Sequence, residues 1–331
     1  MPFHIIREDI TKMNVDIIVN SAHPTPEVGG GVDAAINLTA GNELIIARKK
    51  IGIISAGQAF ATPAYKLNAK HVIHTVGPVW NGGTMNEEEL LRSCYKNSLE
   101  LARSLDCYSI AFPLISGGIF GYPIREAIQI ASEEIKNFLI QHDMDIYLVI
   151  FNTTKIRLSN LSKDSIRQFI RSSEIYTNYN NIDLEIHQEK NKNNIIKKNK
   201  AGINNSLDFE YLPNNIIVPQ ESFTELLFRI IDEKGCKDSE VYKKANLDRR
   251  LFSKIRSNIE YQPSKPTAIA LAIALKLDMD DTLDLIGRAG FTLSPATEFD
   301  IIIAYCISNK IYDIYDINEV LFDYKLPLLG A

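Results

Sequence analysis

The stretch VDIIVNSAHPTPEVGGGVDAAI, residues 15–36, decides the fold. Its first eight residues, VDIIVNSA, form a short apolar run, as expected of a strand covered on both faces. A polar, proline-bearing loop follows, then three glycines at 29–31. DAAINLTAGNELIIARKK (33–50) then reads as helix. Asp33 falls in its first turn, where the helix dipole favours an acid, and Gly41 predicts an interruption. Strand, glycine loop and helix make up one unit of a layered α/β domain.

The alternation continues outward. HVIHTVGP (71–78) reads as a strand ended by Gly-Pro, and NEEELLRSCYKNSLELARSL (86–105) as a helix with acids at its front. SIAFPLIS (109–116), IREAIQIASEEIKNFLIQH (124–142) and DIYLVIF (145–151) read as strand, helix and strand. The expected fold class is therefore α/β, a three-layer domain around a mixed, largely parallel sheet. Twelve of the 17 glycines precede position 122, and from about 206 no strand run remains. There TELLFRIIDEKG, DSEVYKKANL, DRRLFSKIRS, KPTAIALAIALKL and DDTLDLIGRAGF read as five short helices, with EFDIIIAYCISN and INEVLFDY adding two. This predicts a smaller all-α bundle. Nine asparagines in residues 178–205, without sustained periodicity, read as a linker. The expected division is a first domain at 1–172, a linker at 173–210 and a helical domain at 211–331.

Composition narrows the function classes. A chain of 331 residues, 45% hydrophobic and 23% charged, buries a real core, which excludes wholesale disorder and fibrous architecture. A net charge of −5 excludes a polycation built to coat nucleic acid, though not a local basic face. Cysteines 94, 107, 236 and 306 form no CxxC pair, so they read as reduced thiols in a reducing compartment. MPFHIIRED carries charge too early for a secretory signal. AIALAIAL (268–275) and FDIIIAYCI (299–307) fall short of the roughly 18–20 residues that span a bilayer. A cytoplasmic protein with no membrane partner is expected. His71 and His74 have no carboxylate-and-histidine set around them, so they read as structural, with neither metal nor cofactor expected.

A second glycine-rich loop, PLISGGIFGYP (113–123), also joins a strand to a helix. Such turns place bare backbone N–H groups at a helix N-terminus, which suits phosphate. Two of them at the same ends of neighbouring strands would hold a diphosphate in the crevice where α/β sheets bind ligands. Neither loop has the GxxxxGK[ST] of a P-loop or the GxGxxG of a dinucleotide fold with its later acid, which disfavours ATP hydrolysis by that route and NAD-dependent oxidoreduction.

EDIT (8–11), DIIVNSA (16–22), GGGVDAAI (29–36), AKHVIHTVGPVW (69–80), LLRSCYKNSLELA (90–102), SIAFPLISGGIFGYP (109–123) and IYLVIF (146–151) resemble the successive blocks of a macro domain. The resemblance spans residues 1 to about 170. It is strongest to the branch that removes ADP-ribose from proteins and deacetylates O-acetyl-ADP-ribose. It implies that Asp9, with Ile10 beside it, meets the adenine amino group. It places Gly29, Gly30, Gly31 and Val32 against the phosphate and distal ribose, with Asn20 opening that loop. Ser116, Gly117, Gly118, Ile119, Phe120 and Gly121 would enclose the diphosphate, Asp33 would lie near the reacting ribose, and Phe151 would line the adenine. Two positions depart from the family. The loop that usually begins Asn-Ala-Ala-Asn is NSAH here, so His23 replaces an asparagine that contacts the distal ribose. Phe120 stands where tyrosine is common. The candidate catalytic residues are Asp33 and His23.

EVYKKANLDRRLFSKIRSN (240–258) has the layout of a helix-turn-helix, with Asn246 at the turn and Asp248 as the N-cap of the second helix. Residues 220–291 are similar to the five-helix DNA-binding domain of phage-repressor-like regulators, except that Tyr242 stands where a small residue is usual. Seven basic and two acidic residues occupy 243–265. Arg249, Arg250, Ser253 and Lys254 are the candidate DNA-contacting set. The expected function is ADP-ribose binding with hydrolysis of ADP-ribosyl esters. The alternative is a non-catalytic ADP-ribose sensor whose helical domain binds DNA or a protein partner.

Overall fold

The computed structural model describes residues 2–151, 168–169 and 221–330. The linker expected at 173–210 and the boundaries at 172 and 211 lie outside the described residues.

Among the described residues, six strands form one sheet: β1 (Phe3–Ile6), β2 (Ile17–Ser21), β3 (Ala59–Pro63), β4 (His71–Thr75), β5 (Ser109–Pro113) and β6 (Asp145–Val149), in the order β1-β6-β5-β2-β4-β3. Every pairing is parallel except β3 with β4. Among the described residues, four helices flank the sheet: α1 (Val32–Ala40), α2 (Asn42–Ile51), α3 (Glu87–Ser104) and α4 (Ile124–Gln141). Strand β2 shows why its sequence is apolar throughout. Ile17 and Val19 pack with Leu91, Leu99 and Ile135 of α3 and α4, while Ile18 packs with Ile36 and Leu44 of α1 and α2. Both faces of the strand are dry, and the domain has three layers. The expected break at Gly41 separates α1 from α2, with φ at +92°, a conformation that glycine adopts without a Cβ clash. Strand β3, AFATP, is absent from the sequence reading. It is a short, partly exposed edge strand with two alanines, and only its antiparallel pairing to β4 reveals it.

The helical domain contains α5 (Phe223–Glu233), α6 (Asp238–Lys244), α7 (Arg249–Ser257), α8 (Lys265–Ala274), α9 (Met279–Arg288), α10 (Glu298–Ser308) and α11 (Ile314–Asp323). Helix α8 is buried continuously from Thr267 to Ala274, so it is the axis on which the others pack. Ser222 and Glu225 form a capping box at the start of α5. Asn246 is left-handed at φ +54°, and Asp248 caps α7. Tyr242 is accommodated by packing its ring 5.8 Å from that of Phe252.

The helical domain rests on β1, the free edge of the sheet. Phe322 joins the apolar cluster of the α3–α4 layer, and the Tyr315 ring lies 5.7 Å from Phe3. The Arg7 guanidinium sits 4.0 Å above the Phe322 ring, Lys136 pairs with Asp313 at 3.5 Å, and Lys243 donates to the Ile140 carbonyl at 3.0 Å. An edge strand exposes unpaired backbone groups that invite aggregation, and here a domain covers it.

Candidate functional site

Strands β1, β6, β5 and β2 run in the same direction, so the segments leaving their C-terminal ends converge: 7–10, 150–151, 114–123 and 22–31. Between them lies a cleft of about 1010 Å³. The sheet order puts Asp9 and Phe151 at one end of it and His23 and Asp33 at the other. Of the residues singled out in the sequence, Asp9, Ile10, His23, Gly29, Gly30, Gly31, Val32, Asp33, Ser116, Gly117, Gly118, Ile119, Phe120 and Phe151 all line the cleft. Asn20 and Gly121 stand outside the lining.

Asp33 is 3% exposed and organises the first glycine loop. Its Oδ1 accepts from Asn20 Nδ2 at 2.6 Å and from Asn37 Nδ2 at 2.9 Å, and its Oδ2 accepts from the Gly29 N–H at 2.7 Å. A carboxylate offers about four lone-pair sites, so roughly one, on Oδ2, stays open to the cleft. Asn20 acts behind Asp33. The second N–H of its amide reaches His74 Nδ1 at 3.3 Å, and His74 Nε2 lies 3.0 Å from Thr62 Oγ1. Because the asparagine N–H is a donor, His74 Nδ1 must accept and Nε2–H must donate to Thr62. Burial, aided by the nearby Arg48 charge, pulls the His74 pKa down to about 3 and keeps the ring neutral. A continuous line of hydrogen bonds therefore runs from β3 through β4 and β2 to the loop.

Arg48, on α2, holds the other side of that loop. Its guanidinium donates to the carbonyls of His23 at 2.9 Å and Pro24 at 3.3 Å, and also to that of Gly52. His23 Nδ1 lies 2.9 Å from Thr25 Oγ1, which fixes the ring. A Cβ on Gly29 would lie 3.1 Å from Asp33 Oδ2 and 3.4 Å from His23 Cβ, so both candidate catalytic side chains flank this one glycine.

The two loops meet across the cleft. A Cβ on Gly30 would lie 2.8 Å from Ile119 Cδ1, the far end of an exposed side chain, which shows how closely the two loops approach. Ser116 is buried and left-handed at φ +60°, a costly conformation for serine. It is held by the Tyr122 N–H, which donates to the Ser116 carbonyl at 3.0 Å. At the far end, Asp9 accepts from Thr11 Oγ1 at 2.7 Å and from the Thr11 N–H at 3.0 Å, and the hydroxyl bond is the main reason its pKa is lowered. Asp9 therefore stays an ionised acceptor. Phe151 is 79% exposed at the mouth. Among the described residues, no group of three or more His, Cys, Asp or Glu side chains is placed to hold a metal ion, and no helix is long and apolar enough to cross a membrane.

Arg48, Asn37, Thr62 and the linking role of His74 were not visible in the sequence. Asn37 carries a signal in hindsight, since it lies one helical turn after Asp33. Arg48 and Thr62 act through tertiary neighbours alone.

Comparison with known proteins bears on the same half of the chain. The Macro domain family model matches residues 19–131. A macro domain-containing protein of Chlorobaculum tepidum is 50% identical over 136 residues, which cover 41% of this chain and 79% of the relative. The O-acetyl-ADP-ribose deacetylase of Escherichia coli (strain K12) is 43% identical over 161 residues, 47% of this chain and 91% of the relative. Among solved structures, the Oceanobacillus iheyensis macrodomain with ADP is 40% identical, with 45% of this chain and 83% of that chain covered and a TM-score of 0.44. The Trypanosoma brucei macrodomain in complex with ADP-ribose is 35% identical, with 44% and 63% covered and a TM-score of 0.42. At such identity over most of a relative's length, the glycine loops and the sheet beneath them have one explanation: through its first half, this chain belongs to the macro domain family.

Proposed function

We propose that the cleft binds ADP-ribose and hydrolyses ADP-ribosyl esters, removing ADP-ribose from protein or the acetyl group from O-acetyl-ADP-ribose. Adenine lies at the Asp9–Phe151 end, the diphosphate between the glycine loops, and the distal ribose beside His23 and Asp33. The observation that carries this reading is the pairing of Asp33 Oδ2 and His23 around Gly29 at one end of a cleft walled by two glycine loops. The open lone pair of Oδ2 orients the attacking water or a ribose hydroxyl that relays to it. The His23 Nε2, on the ring edge away from Thr25, is the nitrogen left to meet the distal ribose. Backbone N–H groups of the glycine loops stabilise the developing negative charge. The test is calorimetric titration with ADP-ribose beside hydrolysis assays on O-acetyl-ADP-ribose and ADP-ribosylated protein. Micromolar binding, about −8 kcal/mol, with turnover of either substrate is expected. No heat on titration overturns the assignment.

A second reading, a non-catalytic sensor, draws support from a different contact. Arg7 stacks on Phe322 of the helical domain two residues before Asp9, so occupation of the adenine end bears on the domain interface. The readout would be a DNA or protein partner on the exposed face of α7 bearing Arg249, Arg250, Ser253 and Lys254. Binding without turnover, together with salt-sensitive duplex DNA binding lost in an Arg249→Glu, Arg250→Glu double variant, would favour this reading.

A further inference from the structure

Behind Phe120 lies a second cavity of about 420 Å³. Phe120 lines both cavities, and the wall changes hands between adjacent residues: His23 faces the first, Pro24 the second. The second cavity is lined by Ile53, Ile54, Val76, Val79, Met85 and Leu90, among others. Three of these are exposed to an unusual degree for their type: Ile53 at 75%, Met85 at 65% and Val79 at 53%. Apolar side chains exposed together at the rim of a cavity offer a surface that an apolar group can cover.

The polar side chains point to the kind of occupant. Glu87 is buried, and its carboxylate is consumed by the N–H groups of Asn81 and Met85, at 2.9 and 2.5 Å. The Asn81 amide donates to the Val79 carbonyl at 3.1 Å. A peptide entering here would bring N–H and C=O groups that these side chains cannot satisfy, at a desolvation cost. An alkyl chain brings none. An acetyl group alone would leave the cavity largely unfilled.

We propose that this cavity is an acyl subsite for a medium-length aliphatic chain esterified to the distal ribose of ADP-ribose. The inference rests on the proposed reading of the main cleft, which puts that ribose beside His23 and Asp33, with Phe120 on the wall that the two cavities share. In the reaction, water oxygen bonds to the acyl carbonyl carbon and the carbon–ribose oxygen bond breaks. The ribose oxygen takes the proton that the water gives up, and a carboxylic acid and ADP-ribose leave. No further reactant is needed.

The experiment compares O-acetyl-, O-butyryl- and O-hexanoyl-ADP-ribose on the full chain, with kcat/KM from hydrolysis and Kd from calorimetry. Each methylene that enters the cavity is expected to raise kcat/KM or affinity about fourfold. Ile53→Asn, at an exposed position that the fold tolerates, should reduce the hexanoyl value far more than the acetyl value. Equal constants across the series overturn the subsite. So does an Ile53→Asn variant that impairs only ADP-ribosylated protein as substrate, which would give the cavity to a peptide. Absence of turnover on every ester would sink the hydrolase reading instead, and the Kd series would still decide the subsite.

Discussion

Asn246 and Phe3 are 243 positions apart in the chain and hydrogen-bonded twice: Asn246 Oδ1 accepts from the Phe3 N–H at 2.7 Å, and its Nδ2 donates to the Phe3 carbonyl at 2.9 Å. A side-chain amide thus stands in for a neighbouring strand at the edge of the sheet. The turn that the sequence assigns to a helix-turn-helix is spent on this contact, beside the Gly330 backbone that packs on Ala245. Asn246→Ala leaves both Phe3 groups buried and unpaired, so unfolding free energy should fall by about 2–4 kcal/mol. Urea denaturation of the full chain measures it. A loss under about 0.5 kcal/mol would mean the edge is not sealed by this residue.

Gly118 offers a clean probe of the cleft. A Cβ there meets no heavy atom within 4 Å, and the residue lines the cavity. Gly118→Val should keep the melting temperature of the free protein while weakening ADP-ribose more than tenfold, because its bulk occupies the path of the diphosphate. Calorimetry on the variant gives the answer, and unchanged affinity would move the phosphates elsewhere.

Asp33 and His23 should respond differently to substitution. Asp33→Ala strands the donors of Asn20, Asn37 and Gly29, so it should weaken ADP-ribose binding as well as lower turnover by about 10². His23→Gln keeps a hydrogen-bonding side chain but removes the imidazole. It should lower kcat at least tenfold while Kd for ADP-ribose moves by less than about threefold. Equal losses in kcat and affinity for His23→Gln would reduce the histidine to a binding residue.

The pH dependence of stability contains opposing contributions. Burial first, then the charge of Asp316, pushes Glu319 up to about 7. A carboxyl with a raised folded-state pKa stabilises the fold below its unfolded value, and that stability is lost as pH climbs through the folded value. His74, pulled down to about 3, and His4, pulled down to about 4, act in the opposite sense: each destabilises the fold as pH falls below about 6.5. Subtraction isolates the carboxyl. The stability of the native protein minus that of Glu319→Gln should decline by up to about 3 kcal/mol between roughly pH 4.5 and 7. Chemical denaturation at successive pH values tests the slope, and a flat difference would mean Glu319 is solvated.

The sequence by itself determined the α/β class of the first domain, the helical character of residues 221–330 and most of the cleft. Periodicity is local: Ile17, Ile18 and Val19 announce a doubly buried strand, and three glycines before Asp33 announce a bare loop at a helix start, with no knowledge of their partners. The edge strand β3 was illegible because AFATP has neither strong β-propensity nor alternation, and its identity comes from pairing with β4. The tertiary structure alone decided what Asn20, Arg48, His74 and Asn246 do. Each is a polar group whose role lies in a partner distant in sequence: Asp33 for Asn20, the 23–24 carbonyls for Arg48, Thr62 for His74 and Phe3 for Asn246. A hydrogen bond is satisfied over about 3 Å and within a narrow angle. Only the packed chain, with the register of β2 on β4 and the seat of the helical domain on β1, brings such atoms that close.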